Sequence, residues 1–149
     1  MNFPKLNFPE KYNFQLKREK EKIFIYDVIR RKFVLLTAEE YVRQHWLHFL
    51  LFTEKKSKHC LLIEKKIILN QQTKRLDLLV MQQTKPYILL ELKAFDIELS
   101  EVVFEQIARY NSILKCSYVI ISNGLSHLCF QFNIQTYEYE VIDLAALVW

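Results

Sequence analysis

The chain has 149 residues, 51% of them hydrophobic, 14% aromatic and 26% charged, a composition that supports one packed core and argues against disorder. No apolar run approaches the ~20 residues of a membrane helix. The N-terminus MNFPKLNFPEKYNF has no signal-peptide core, and the three cysteines form no C-x-x-C, which argues against a disulfide scaffold or Cys-rich zinc and fits a reducing cytoplasm. The net charge of +4 is divided unevenly. Residues 1–76 carry 17 Lys and Arg against 8 Asp and Glu, whereas residues 77–149 carry 4 against 9. The basic part includes Lys17, Arg18, Lys20, Lys22 and the run Arg30, Arg31, Lys32. Such a strip suits a polyanion and equally suits a solvated surface.

In chain order, YNFQLK, KIFIYD and KFVLL are predicted strands, the last two joined through VIRR. From Leu36 to Phe52 the spacing becomes helical. Thr37 is the expected N-cap, with Glu40 completing a T-x-x-E capping box. Three strand-like runs follow, CLLIEKKIIL, KRLDLLVM and PYILLELKAF, separated by the polar turns NQQT and QQTK. Ser100 is the expected cap of a second helix, EVVFEQIARYNSIL. SYVIIS and HLCFQF then flank Asn123-Gly124, a hairpin signal, and YEYEVIDLAALVW closes the chain as a strand or short helix. The pattern predicts a single α/β domain over 1–149, with a β extension at 1–36 and an αβββαβ-type core at 37–149, its mixed sheet flanked by two helices.

The run PYILLELKAF holds Glu91 and Lys93 on one strand face in otherwise apolar surroundings. A turn centred on Thr84 sets Asp77 opposite Glu91. Opposed residues stand about 5 Å apart, where two carboxylates repel by roughly 3 kcal/mol at an effective dielectric of 20. Such a pair is a natural seat for Mg²⁺, which takes oxygen ligands and keeps several waters. A lysine beside it suits metal-assisted phosphodiester hydrolysis.

The ordered set RLD…ELK followed by QIARY resembles the PD-(D/E)xK nuclease superfamily, and in particular the N-terminal nuclease domain of type I restriction enzyme R proteins in a stand-alone form. LTAEEYVRQHW, KRLDLLV and ISNGLSH are similar to it as well, so the resemblance spans nearly the whole chain. It implies a restriction-endonuclease-like fold and a Mg²⁺-dependent DNA endonuclease, with Mn²⁺ as a substitute. Asp77, Glu91, the Leu92 backbone carbonyl and Glu39 would hold the metal, Glu39 because it stands four residues before Arg43. Lys93 would be the catalytic lysine, with Gln106 and Tyr110 supporting the site or touching nucleic acid. DNA is the implied partner, with a homo-oligomer or subunits of a restriction system as the assembly. Leu76 replaces the proline of the superfamily's name, and no motor follows Trp149, so translocation does not transfer.

Other readings stand beside these. Glu91 and Lys93 suit a cross-strand ion pair on an exposed face, and Asp77 suits pairing with Lys74 or Arg75. Gln106 and Tyr110 can edge the apolar stripe of Val103, Ile107 and Leu114. Glu39 can serve the helix N-terminus, Glu40 only the cap, and Glu64 only a solvated strand. His45, His48, His59 and His127 have no ligand spacing, and aromatics such as Trp46 and Phe104 belong to the core. The functional alternatives are a nuclease-like binding or assembly module with little cleavage, and a branched-DNA nuclease.

Overall fold

A computed structural model describes residues 3–149. Strands β1 (Leu16–Glu19), β2 (Lys22–Asp27) and β3 (Lys32–Leu35) form an antiparallel sheet in that order. Helix α1 (Ala38–His48) begins where expected: Thr37 is extended, and its Oγ1 accepts the Glu40 N–H at 3.1 Å. It runs on into a π-helical turn, Phe49–Thr53.

Strands β4 (Leu61–Ile63), β7 (Leu78–Gln82), β8 (Lys85–Leu92), β9 (Tyr118–Ser122), β10 (His127–Asn133) and β11 (Glu138–Ile142) make a six-stranded sheet. Its spatial order is β11-β10-β9-β8-β7-β4. All neighbours are antiparallel except β8 and β9, which are parallel and joined through helix α2 (Glu101–Leu114). That crossover makes the sheet mixed. Val42, Trp46, Leu47 and Leu50 of α1 and its extension pack with Leu78, Val80, Ile88 and Leu90 on one face. Val103, Ile107 and Tyr110 of α2 pack with Leu79, Leu89, Val119 and Ile121 on the other. Full burial of each aliphatic side chain contributes roughly 1.5–3 kcal/mol.

Three expectations are corrected here. CLLIEKKIIL is not one strand. It breaks at Glu64, which adopts φ 52°, and its second half becomes β5 (Lys66–Leu69). KRLDLLVM breaks at Leu76–Asp77, giving β6 (Gln72–Arg75) and β7. The β5–β6 pair is thus a separate hairpin set between β4 and β7, turning through Asn70 (φ 50°) and Gln71 (φ 64°). Among YNFQLK only Leu16 and Lys17 are in a strand. Ser100 occupies the N-cap of α2, but its side chain makes no capping hydrogen bond. The final segment is both predicted forms in turn, β11 and then a 3₁₀ turn at Leu144–Ala146.

The Asn123-Gly124 turn is confirmed, and Gly124 is required there. Its φ is +82°, and a Cβ would lie 2.8 Å from Leu6 Cδ1. Leu6 belongs to an N-terminal segment that crosses α1, where Asn7 N–H donates to the Gly124 carbonyl at 2.8 Å.

Candidate active site

The β7–β8 hairpin sets the site. Leu78 pairs with Leu90, Leu79 with Leu89 and Val80 with Ile88, the register expected of a turn centred on Thr84. The turn itself is a two-residue Gln83-Thr84 loop, and a bulge at Val80/Met81 restores the register towards the site. Asp77 therefore ends up beside Glu91. Its Oδ2 accepts the Leu92 N–H at 2.8 Å, bridging the two strands at the sheet end.

Glu91 is buried, whereas Lys93 keeps a quarter of its side chain exposed. Lys93 Nζ lies 2.8 Å from Glu91 Oε1. Gln106 Nε2 donates to the same oxygen at 3.3 Å and to Tyr110 Oη at 3.1 Å, one helical turn on. Burial pushes the Glu91 carboxyl up to about 7, and the charge of Asp77 adds to that, against the hydrogen bond from Lys93. Burial also works against the Lys93 charge, but Glu91, Asp77 and Glu39 hold its pKa above the ordinary lysine value. Asp77, Glu91, Lys93, Gln106 and Tyr110 are thus assembled at one sheet end.

Asp77 pairs neither with Lys74 nor with Arg75. Its Oδ1 accepts from Arg43 Nη2 at 3.1 Å. Arg43 is buried and also binds Glu39 at 2.9 Å and Glu40 at 2.6 Å. Burial opposes its charge, yet Glu40, Asp77 and Glu39 together hold its pKa above the usual arginine value. Glu39 reaches the site through Arg43, with nearly half its side chain exposed. Among the described residues, no three His, Cys, Asp or Glu side chains converge as a ready metal cage. What the site offers is two oxygen donors, Asp77 and Glu91. Burial first and the Asp77 charge second disfavour the Glu91 carboxylate, and two oxygen donors beside each other fit a hard cation that retains waters.

Two assignments are overturned by this network. The Glu40 carboxylate does not close the capping box, because the Thr37 N–H goes to the Leu35 carbonyl; it binds Arg30, Arg43 and Gln44 Nε2 in the interior instead. Glu64 is no solvated strand residue but an ion-pair partner of Arg30 at 3.3 Å and Arg75 at 3.7 Å. Arg30 in turn leaves the basic strip. Its guanidinium binds the fully buried Asp27 at 2.8 Å as well as Glu40 and Glu64, and only Arg31 and Lys32 of the run stay exposed. Sequence reading missed Arg43 and Arg30 as partners of the site. The E-x-x-x-R spacing from Glu39 to Arg43 was the only signal for the first. The histidines behave as packing groups, with His45, His48 and His127 buried or half-buried among aromatic rings.

A family model described as type I restriction enzyme R protein N terminus matches residues 38–144, well over half of the chain. The chain belongs to this family. The match begins at the first residue of α1 and takes in Glu39, Arg43, Asp77, Glu91, Lys93, Gln106 and Tyr110. Membership in the type I restriction enzyme R protein N-terminal family gives the chain a restriction- and nuclease-related lineage. No curated protein and no solved structure matches the chain. Among the described residues, no helix is long and apolar enough to cross a membrane.

Proposed function

We propose that the chain is a Mg²⁺-dependent DNA endonuclease of restriction-enzyme type with a PD-(D/E)xK site. The observation that carries this reading is the convergence of Asp77 and the buried Glu91 at one sheet end, beside a lysine that keeps a quarter of its side chain exposed. Asp77, Glu91 and the Leu92 carbonyl would hold Mg²⁺ or Mn²⁺, with Glu39 as a further oxygen donor. When bound, the ion would supply Lewis-acid polarisation of the phosphodiester and would acidify water there.

The chain's own groups do the rest. Lys93 carries a compact positive charge that can meet negative charge developing on the phosphoryl oxygens. Gln106, held by Tyr110, fixes the Glu91 carboxylate from the α2 side. Arg43 fixes Asp77 from the α1 side, so both carboxylates are oriented before substrate arrives. Restriction-system subunits or a second copy of the chain are the proposed partners.

Plasmid nicking by the purified chain in Mg²⁺ or Mn²⁺ tests this reading. Nicking that disappears with Asp77→Ala, together with Mn²⁺ binding in calorimetry, is expected. Tight DNA binding without nicking in either metal would instead establish the binding-module alternative.

A further inference from the structure

We infer that the groove between the β5–β6 hairpin and α2 holds the sugar–phosphate backbone of one strand of a DNA duplex and leads it to Lys93. This inference rests on the nuclease reading and adds the surface that grips the substrate. The groove encloses about 410 Å³. Its polar lining consists of Asn70, Gln72 and Lys74 from the hairpin and Gln106, Arg109 and Tyr110 from the helix. It contains two cations, three amides and a phenol, with no carboxylate.

Several independent features point to a polyanionic strand. Residues 77–149 are acidic overall, and Arg109 is one of their 4 cations. Its guanidinium reaches only a backbone carbonyl, that of Glu105 at 3.3 Å, and makes no ion pair among the described residues. Lys74 likewise has no acidic partner among the described residues, although it is half-buried. Cations left without carboxylates along a groove are suited to phosphates.

The faces of the hairpin agree. Pairing of Ile67 with Lys74 and Leu69 with Gln72 turns Lys74 and Gln72 to the α2 side with the apolar residues that pack there. Val102, Gln106, Arg109 and Tyr110 share one helical face. Gln106 belongs both to the groove and to the site, because its Nε2 touches Glu91 Oε1. A phosphate seated between Lys74 and Arg109 would thus precede the scissile one along the same strand. Tyr110 is buried, so the groove presents no open aromatic face to stack a base. Its contacts are with the backbone and independent of sequence.

The test is fluorescence anisotropy with a labelled blunt DNA duplex, without divalent metal, across ~50 to ~200 mM NaCl. Lys74→Gln/Arg109→Gln is expected to weaken binding about tenfold or more and to lower the log–log salt slope by about 2, near 0.9 for each phosphate released. The charge-matched Arg18→Gln/Lys22→Gln, on the N-terminal sheet, should stay within about twofold of wild type. Gln72→Glu, at an exposed groove position, should weaken binding even if the double variant melts early. Unchanged binding in the groove variants, or an equal loss in the Arg18/Lys22 control, overturns the inference. If the groove variants lose DNA but the wild type never nicks, the groove stands and the nuclease reading falls. If the wild type nicks and the groove variants bind and nick normally, the nuclease reading stands and the groove falls.

Discussion

Two ionic clusters lie within one turn of α1 and differ in how their charges are balanced. In the first, Asp27 and Glu40 face Arg30 and Arg43, and Gln44 Nε2 bridges the two carboxylates at 2.8 and 2.9 Å. In the second, Asp77 and Glu91 share Lys93 and one edge of Arg43, and the Glu91 pKa is raised. The first cluster is enclosed: Asp27, Glu40, Arg43 and Gln44 are buried, and each carboxylate meets a guanidinium, although Arg30 is shared with Glu64 and Arg43 with Glu39 and Asp77. It fastens the β2–β3 turn to α1, since Asp27 Oδ1 also takes the N–H groups of Ile29 and Arg30. The second is short of positive charge and open to solvent on the Lys93 side. The same residue types therefore serve cohesion in the first cluster and, on the proposed reading, chemistry in the second, and access of solvent to the cation separates them.

The comparison is broken most severely at Glu40. Glu40→Gln leaves the buried Arg43 and the largely covered Arg30 with one carboxylate fewer, and should cost about 3–5 kcal/mol in urea unfolding. A loss below about 1 kcal/mol would show the closed cluster to be no more than a surface pair. Next comes Lys93→Ala. It should fold and bind duplex DNA like wild type while nicking falls about 10²-fold, or about 2.7 kcal/mol of barrier. Lys93→Arg should not restore the rate, because a planar fork does not replace a compact ammonium. Full nicking by Lys93→Ala would remove the lysine from the chemistry.

Glu91→Gln gives a smaller effect of the opposite sign to Glu40→Gln. It relieves a buried carboxylate from Asp77, so at neutral pH it should be neutral or stabilising by about 1 kcal/mol while abolishing nicking. A destabilisation as large as that of Glu40→Gln would make the two clusters equivalent.

The mildest test concerns acid. Burial lowers the pKa values of His45, His48 and His127 below 6.5, against hydrogen bonds to the Tyr41, Gln44 and Asn7 carbonyls respectively. For His48 the Asp27 charge also opposes the shift, whereas for His45 the neighbouring His48 reinforces it. A base with a lowered folded pKa stabilises the fold fully above its unfolded value of about 6.5. That contribution is lost as the pH falls below 6.5 towards the folded values. The raised Glu91 carboxyl has the opposite sign, adding stability as the pH falls through about 7, so the test is made in a Glu91→Gln background. There melting temperature should decline from pH 7 to pH 5.5, and His48→Gln should flatten the decline; a flat profile without the histidine change would mean that these rings are solvated.

Features that rest on local chemistry could be read from the sequence. The Thr37 cap, the Asn123-Gly124 turn, the two helices and the Asp77–Glu91 register all follow from residue type and spacing. Features that rest on partners distant in the chain could not. Asp27, Glu40, Arg43, Glu64 and Asp77 meet from β2, α1 and the bends after β4 and before β7, and an alternating or helical pattern does not reveal which charges will be brought together. The β5–β6 hairpin was hidden for a different reason. Glycine usually marks left-handed turns, but here Glu64, Asn70 and Gln71 adopt positive φ without it. With a single glycine in the chain, turns pass for polar stretches of strand.

The Trp46 indole N–H donates to Ser122 Oγ at 2.9 Å, and its ring lies 5.3 Å from Phe8, 5.1 Å from His127 and 6.5 Å from Trp149. Trp46 and Trp149 are the only tryptophans in the chain. Both belong to the core layer under α1, and neither touches α2 or the groove beside it. The protein's native fluorescence is therefore a built-in optical reporter for the docking of the Phe8 segment on α1. Events at the opposite face of the sheet need a dye placed there, and the two signals can be followed independently in one sample.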